Sequence, residues 1–149
     1  MTLSRHFTLD EFLASDYAIR HGIDNTPTPE IEAALANTAQ GMERVRAVLQ
    51  QPIHINSGYR CPKLNSAIGG SKSSQHMKGE AADFICPEFG TPFQVAQEVA
   101  AHESEILFDQ CILEYPPKGW VHVSFSENPR GQVMTIVKSG KFNGLVSGT

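Results

Sequence analysis

The sequence is poor in cysteine. Its three cysteines, Cys61, Cys86 and Cys111, are scattered and odd in number, which argues against a disulfide framework and against a Cys-x-x-Cys metal knuckle. We expect all three to be free thiols. Cys86 and Cys111 lie in apolar runs and should pack as small core side chains, and nothing near Cys61 in the sequence would activate it as a nucleophile.

Long apolar runs and basic clusters are also missing. No segment approaches the roughly 20 apolar residues of a membrane-spanning helix, and residues 1–6 lack the apolar run of a signal peptide. The net charge is −4, with both signs interspersed, whereas nucleic-acid binding requires clustered cations. We therefore expect a soluble protein that is made in the cytoplasm, with no membrane insertion and no nucleic-acid partner.

The length of 149 residues fits one domain, which we expect to span 1–149 and to be a monomer. Capping signals predict its helices. Thr8 and Glu11 form a capping box for a short helix that ends near Ser15, and the Thr-Pro pairs at 28–29 and 91–92 begin helices that end near residues 49 and 102. Residues 18–28 are predicted to be a loop, and 62–68 a helical turn or two.

Short apolar or alternating runs predict the strands. They lie at residues 52–56, 82–86, 111–115, 120–125 and 133–137. We expect the last strand to lie at the edge of the sheet and the Gly- and Ser-rich tail after Lys138 to be loose. Helices that come first and adjacent strands that come later indicate an α+β fold, with an antiparallel sheet backed by helices.

The segment from Ser74 to Asp83 organises the rest of the chain. It places His76 and Asp83 seven residues apart, around Gly79, a position free of Cβ clashes where the chain can fold back. Imidazole nitrogen and carboxylate oxygen suit zinc, which needs a third protein ligand. His122 is the best candidate, because alternation over residues 120–125 predicts a strand with His122 on one face.

The other histidines are weaker candidates for metal ligands. His6, His21 and His102 lie in polar or terminal settings and are expected at the surface. His54 alternates with two isoleucines, so we expect a packed or lining side chain. His76 on its own would also be expected to be a packed or lining side chain. Its combination with Asp83 and His122 is what indicates a metal site.

The motif Ser74-x-His76-x-x-Gly79-x-Ala81-x-Asp83, followed by Trp120-x-His122, resembles the zinc D-Ala-D-Ala carboxypeptidase family of peptidoglycan peptidases. The similarity extends to residues 57–62, to Asn65, to Gly69-Gly70 and to residues 7–12. This family is related in fold to lysostaphin-type endopeptidases and to the hedgehog signalling domain. The resemblance implies the same α+β fold, with the zinc site on the sheet.

The resemblance implies one Zn²⁺ per chain, held by His76, Asp83 and His122, with an open position for water. Zinc lowers the pKa of bound water to about 7, so the expected reaction is hydrolysis. Relatives carry a carboxylate shortly before the last histidine, often three residues before it, but this chain has Gly119 there.

Glu114 is the leading candidate for the general base, because a hairpin across residues 116–119 could return it to the metal, near Val121. The alternatives are that Glu114 is an exposed strand residue and that Glu80, inside the motif, is the base. Arg60 offers a planar fork of donors for a substrate carboxylate or a polarised carbonyl, or it forms a surface salt bridge.

Two further residues are candidates for substrate binding. Ser74 matches the motif serine, and its hydroxyl group could hydrogen-bond either the substrate or groups that support the metal ligands. Trp120 shares a predicted strand face with His122 and could line the cleft, or it could be a plain packing residue.

Three functions are consistent with these residues. The first is a zinc peptidase that cleaves an amide next to a D-amino acid in peptidoglycan, as a carboxypeptidase, a dipeptidase or an L-Ala-D-Glu endopeptidase. The second is a catalytically silent zinc-containing module that binds the cell wall, which Gly119 favours. The third, a non-haem iron oxygenase, is weakened by the spacing of His76 and Asp83. A cell-wall substrate would require phage-type release or delivery of a protein without a signal peptide.

Overall fold

A computed structural model describes residues 1–148. Its helices are α1 (Leu9–Leu13), α2 (Asp16–Arg20), α3 (Pro29–Leu49), α4 (Pro62–Ala67), α5 (Pro92–Ala101) and α6 (Glu103–Ile106), with a 3₁₀ helix at Gln75–Lys78. Its strands are β1 (His54–Ser57), β2 (Ala81–Ile85), β3 (Gln110–Glu114), β4 (Trp120–Ser124), β5 (Gln132–Val137) and β6 (Gly140–Asn143). No helix in the described range is long and apolar enough to span a membrane.

The six strands form one mixed sheet in the order β1-β2-β4-β3-β5-β6. The α+β class is confirmed, but the expectation of a wholly antiparallel sheet is wrong, because β3 and β5 are parallel. The parallel pair follows from the connection after β4. The chain leaves β4 beside the start of β3, since Ser124 pairs with Gln110, crosses that end through residues 125–131, and then runs along β3 in the same direction.

Residues 139–148 are better ordered than the sequence indicated, and Thr149 lies outside the described residues. This segment forms β6, which pairs antiparallel with β5 across a two-residue turn, so β6 and not β5 is the edge strand on this side. The Thr135 hydroxyl donates to the Gly144 carbonyl at 2.8 Å and accepts from the Val146 amide at 3.0 Å. These bonds fix the residues that follow β6. The predicted loop at 18–28 also begins inside α2, which Ser15 caps.

Helices cover one face of the sheet and leave the other face open. On the covered face, α5 packs on β3 and β4, and α3 packs on α5. The buried core there is built from alternate strand residues and the inner faces of these helices, among them Leu35, Met42, Phe84, Val95, Val99, Leu113, Val121 and Val123. All three cysteines are free and Cys86 and Cys111 are buried, as predicted. The side chains on the opposite face are therefore available to line a site.

Candidate metal centre

Ser74 and Gly79 shape the turn that carries the first candidate ligand. The Ser74 hydroxyl accepts from the His76 amide at 3.1 Å and caps the 3₁₀ helix. Gly79 ends this helix in the left-handed region, at φ 71°, where residues with a Cβ are strained. The Thr38 hydroxyl on α3 donates to the Gly79 carbonyl at 2.7 Å. The turn is thereby fixed to the core and leads directly into β2.

Asp83 and His122 are directly paired across β2 and β4, and the turn brings His76 beside them. Asp83 Oδ1 lies 3.2 Å from His76 Nε2 and 3.0 Å from His122 Nδ1. All three side chains are buried, and one nitrogen or oxygen atom from each lies within 4.8 Å of the others. Two imidazole nitrogens and one carboxylate oxygen form a suitable donor set for a transition metal such as zinc. The residues therefore fit a metal ion.

A backbone carbonyl sets the orientation of the His76 ring. His76 Nδ1 lies 2.6 Å from the Gly58 carbonyl oxygen, which can only accept, so Nδ1 carries a proton and Nε2, once deprotonated, can bind a metal. The Gly58 loop is fixed in turn, because the Tyr59 amide donates to the Phe12 carbonyl at 2.7 Å. One candidate metal ligand is thus supported by α1, which is distant from it in the sequence.

The two histidines keep Asp83 ionised. Burial alone would raise the pKa of Asp83, but the charge that His76 carries when Nε2 is also protonated, with the hydrogen bonds that both imidazoles then donate, outweighs burial, so the pKa is lowered. A carboxylate is the form in which aspartate binds a metal. The electrostatics of the cluster therefore agree with its geometry.

Glu114 lies on the same face of the sheet as the candidate ligands. It pairs with Trp120 across β3 and β4, while Ile112 pairs with His122, so residues 112, 114, 120 and 122 point to one side. Glu114 was predicted to pair near Val121, and the observed partner is the adjacent residue, Trp120. Its side chain nevertheless lies on the same face as His122, as a general base requires. Burial raises the pKa of Glu114, and the negative charge of Asp83 raises it further, against smaller opposing effects of His122, the Trp120 hydrogen bond and His76.

Gly119 has no room for the carboxylate that relatives carry at that position. A Cβ there would collide with the Glu114 carbonyl oxygen, because the β3–β4 connection turns tightly against the end of β3. Glu80, the reserve candidate, does not line the cleft above the cluster. Its carboxylate accepts a long bond of 3.4 Å from Gln75. Among the carboxyl groups that line the cleft, Asp83 is a candidate metal ligand and Glu114 is not. Glu114 is therefore the carboxyl group available to act as a base.

Arg60 presents a half-buried guanidinium group to the same cleft. Its Nε is buried without a hydrogen-bond partner, and NH2 lies at a long 3.4 Å from the Ser74 hydroxyl. Burial lowers the pKa of Arg60, while the charges of Asp83 and Glu114 act in the opposite direction. Arg60 forms no ion pair at salt-bridge distance with any residue in 1–148, in contrast to the surface salt bridge considered as an alternative. Its donors are available for another group.

The cleft is open and has a volume of about 810 Å³. Strands β2 to β6 form its floor, and residues 68–78 form one wall. All of the site residues predicted from the sequence line it: Arg60, Ser74, His76, Asp83, Glu114, Trp120 and His122. The expected surface histidines and His54 lie elsewhere.

Two polar clusters that support the site were not predicted. Asp109, 2% exposed, accepts from Arg130 Nε and NH2 at 2.9 and 2.8 Å and from Gln75, the residue before His76, at 3.0 Å. The hydrogen bonds from Arg130 lower the pKa of Asp109 to about 2. The Asn25 amide donates to the Leu13 and Tyr59 carbonyls. No local motif marks either residue, since their partners are distant in sequence.

A buried cluster of two histidines and a carboxylate lies at the floor of an open cleft, with a further carboxyl group and a guanidinium group beside it, and this arrangement fits a metal-dependent hydrolase. The family profile described as Peptidase M15 matches residues 5–124. The chain therefore belongs to this family of metallopeptidases, of the zinc D-Ala-D-Ala carboxypeptidase type, as its motifs predicted. No curated protein matches the chain in sequence.

Proposed function

We propose that the protein is a zinc peptidase that hydrolyses an amide bond next to a D-amino acid in the stem peptide or cross-link of peptidoglycan. The family supports a peptide substrate. The observation that carries the proposal of catalysis is the position of Glu114, a carboxyl group on the same face of the sheet as His122 and outside the ligand cluster. Action on the cell wall, after phage-type release or delivery, is part of this proposal.

His76 Nε2, Asp83 Oδ1 and His122 Nδ1 are the atoms that would hold one zinc ion. Zinc bound there would supply a nucleophile at neutral pH by lowering the pKa of water. The Gly58 carbonyl keeps the His76 ring oriented with Nε2 toward the other two ligands, and all three ligand side chains are buried at the floor of the cleft. The side chains that would hold the metal are therefore oriented before any substrate is bound.

Glu114 is proposed to move the protons. Its carboxylate would take a proton from the attacking water and deliver it to the departing amine nitrogen. The pKa of Glu114 is raised by burial and by the charge of Asp83, which brings it closer to neutral pH, where one group can both accept and release a proton. Trp120 fixes the carboxylate through its indole N–H, at 2.7 Å.

Arg60, Ser74 and Trp120 are proposed to bind the substrate. The unpartnered donors of Arg60 can bind a substrate carboxylate or the oxygen of the polarised carbonyl group. The Ser74 hydroxyl lies between Arg60 and the turn that carries His76. The catalytically silent binding module, the second candidate, was favoured by Gly119, but Glu114 supplies the carboxyl group that Gly119 lacks, which supports hydrolysis.

The test is digestion of purified peptidoglycan by the zinc-loaded protein. Release of new amino or carboxyl termini, identified by mass spectrometry, would reveal the bond that is cut. Glu114→Gln should reduce kcat by about 10²–10⁴-fold at unchanged zinc content, while Glu80→Gln, outside the cleft, should remain near normal. Loss of turnover in Glu80→Gln alone would assign the base to Glu80. Absence of any new termini with the zinc-loaded wild type would favour the binding module.

A further inference from the structure

Basic residues outnumber acidic ones in the lining of the cleft, in contrast to the chain as a whole. Arg60, Lys78, Arg130 and Lys141 line it, against the two carboxyl groups of Asp83 and Glu114. Acidic residues outnumber basic ones in the full sequence, 16 to 12, and the buried Asp109 offsets one of the four cations, Arg130. A bound metal ion would add further positive charge. The cleft therefore suits a ligand with more than one negative group.

Two of these four cations already have another role or another partner. Arg60 lies at the proposed reaction centre, and the Arg130 guanidinium is bound to the buried Asp109. Lys78 and Lys141 are exposed and form no ion pair with any residue in 1–148. Lys78 follows His76 on the 3₁₀ helix, whereas Lys141 lies on β6, on the far side of the cleft floor.

The register of the sheet gives the distance from Lys141 to Glu114, the proposed general base. Trp120, Glu114, Ile136 and Lys141 are paired in one row across β4, β3, β5 and β6. Because neighbouring strands lie about 4.8 Å apart, the backbone of Lys141 is about 10 Å from that of Glu114. An extended peptide covers this distance in about three residues.

The floor between these two positions is apolar. Ile136 separates Glu114 from Lys141 in the same row, and Ile112 and Met134 are paired in the adjacent row on the same face. All three side chains line the cleft. A peptide lying across the strands would place aliphatic groups over this floor before reaching the ammonium group of Lys141.

We propose that β5 and β6 form an extended subsite for an acidic peptide, in which Lys141 binds a free carboxylate about three residues from the hydrolysed bond. The subsite rests on the proposed function, because Glu114 defines the position of that bond. It lies outside the residues that match the family profile, which end at 124. The subsite would distinguish a carboxylate from a carboxamide, which carries no charge to pair with lysine.

The probes are two synthetic stem pentapeptides, L-Ala-γ-D-Glu-L-Lys-D-Ala-D-Ala with the α-carboxylate of the D-Glu residue free, and the same peptide with that group amidated. In a carboxypeptidase-type cut, this carboxylate belongs to the third residue before the scissile bond. Binding would be measured by calorimetry on the zinc-loaded Glu114→Gln protein, so that hydrolysis does not interfere. We expect the free carboxylate to bind about fivefold more tightly, with a smaller preference at high salt.

Lys141→Gln in the same background should remove the preference, and Lys138→Gln should keep it. Lys138 lies in the turn between β5 and β6, is exposed, and does not line the cleft, so it controls for the change in net charge. Equal binding of both peptides by the parent protein would overturn the subsite alone, and so would loss of the preference in Lys78→Gln but not in Lys141→Gln. No binding of either peptide would overturn both the subsite and the proposed substrate.

Discussion

The indole nitrogen of Trp120 donates a hydrogen bond to Glu114 Oε2 at 2.7 Å, within the last residue pair of the β3–β4 hairpin. This contact joins the only tryptophan of the chain to the carboxyl group beside the candidate metal ligands. It leaves Glu114 Oε1 without a hydrogen-bond partner among residues 1–148. Trp120 is therefore a positioning residue as well as part of the cleft lining.

Trp120→Phe should shift the pH dependence of hydrolysis. The hydrogen bond from Trp120 favours ionised Glu114, so its removal should raise the pKa of the carboxyl group. A general base acts when deprotonated, and the acidic limb of the kcat/KM profile should move to higher pH. Tyr115→Phe keeps the neighbouring ring contact and should leave the limb in place. An unchanged profile in Trp120→Phe would exclude Glu114 as the titrating group.

His76→Ala and Asp83→Ala should each lose bound zinc. Each variant leaves only two of the three candidate donors, and zinc sites of this type require three protein ligands. Elemental analysis of protein purified without added metal should give one zinc per wild-type chain and little in either variant. Protons compete for the imidazole nitrogens, so occupancy in the wild type should fall in acid. Full occupancy of both variants would contradict the ligand assignment.

Arg60→Lys should impair hydrolysis more than folding. Lysine keeps the charge but cannot reproduce the planar fork of donors, and loss of one donor to a developing oxyanion typically costs about 10²–10³-fold in kcat. The melting temperature should change by less than about 3 °C. Arg5→Lys, exposed and outside the cleft, is the control. A lower melting temperature with normal kcat/KM would make Arg60 structural.

Asp109→Asn should lower stability at neutral pH and remove part of its dependence on pH. The folded-state pKa of Asp109 is about 2, below its ordinary value of 3.8. The resulting stabilisation is fully present above about pH 4 and is lost as the pH falls to about 2. Its size should be about 1–2 kcal/mol, because solvent screens the 60% exposed Arg130 side chain.

Urea unfolding of wild type and Asp109→Asn at pH 7, 4 and 2 would measure this effect. The difference between the two proteins should be largest at pH 7 and small at pH 2. Glu127→Gln changes an exposed carboxylate in the same loop and serves as the control. A constant difference across this range would mean that the ion pair with Arg130 is not the cause.

Gly58→Ala should weaken metal binding. A Cβ at Gly58 would lie 2.6 Å from the Phe12 carbonyl oxygen, so the loop would have to shift, and with it the carbonyl group that orients His76. We expect about 1–3 kcal/mol of lost stability and about 10–100-fold weaker zinc binding. Leu49→Ala, in the core on α3, should also destabilise the protein, by about 2–5 kcal/mol, without changing zinc affinity.

The candidate ligands could be predicted because their placement is encoded locally. Gly79 supplies the turn between His76 and Asp83, and the alternation of residues 120–125 fixes the facing of His122. The pairing of Asp83 with His122 could not be read from either segment alone, because alternation gives the face of a strand but not its neighbour. The motifs shared with the family supplied that link.

The order of the strands was not predictable in the same way. The parallel contact of β3 with β5 depends on a loop that crosses the end of β3, where the Gln132 amide donates to the Asp109 carbonyl. Strand β6 was missed because its residues, Gly-Lys-Phe-Asn, carry little strand propensity and gain their structure by pairing with β5. Both features arise from tertiary contacts.

The loop at residues 58–59 contacts α1 through the hydrogen bond from the Tyr59 amide to the Phe12 carbonyl, and it contacts the metal ligand His76 through the Gly58 carbonyl. Docking of α1 and binding of metal are therefore coupled through this loop. By reciprocity, whatever holds α1 against residues 58–59 must favour metal binding, and metal must hold α1 in place to the same extent in free energy. Removal of the metal by a chelator should therefore loosen α1 first. Hydrogen exchange and proteolysis of residues 9–13 should become faster before those of the strands that carry Asp83 and His122 change.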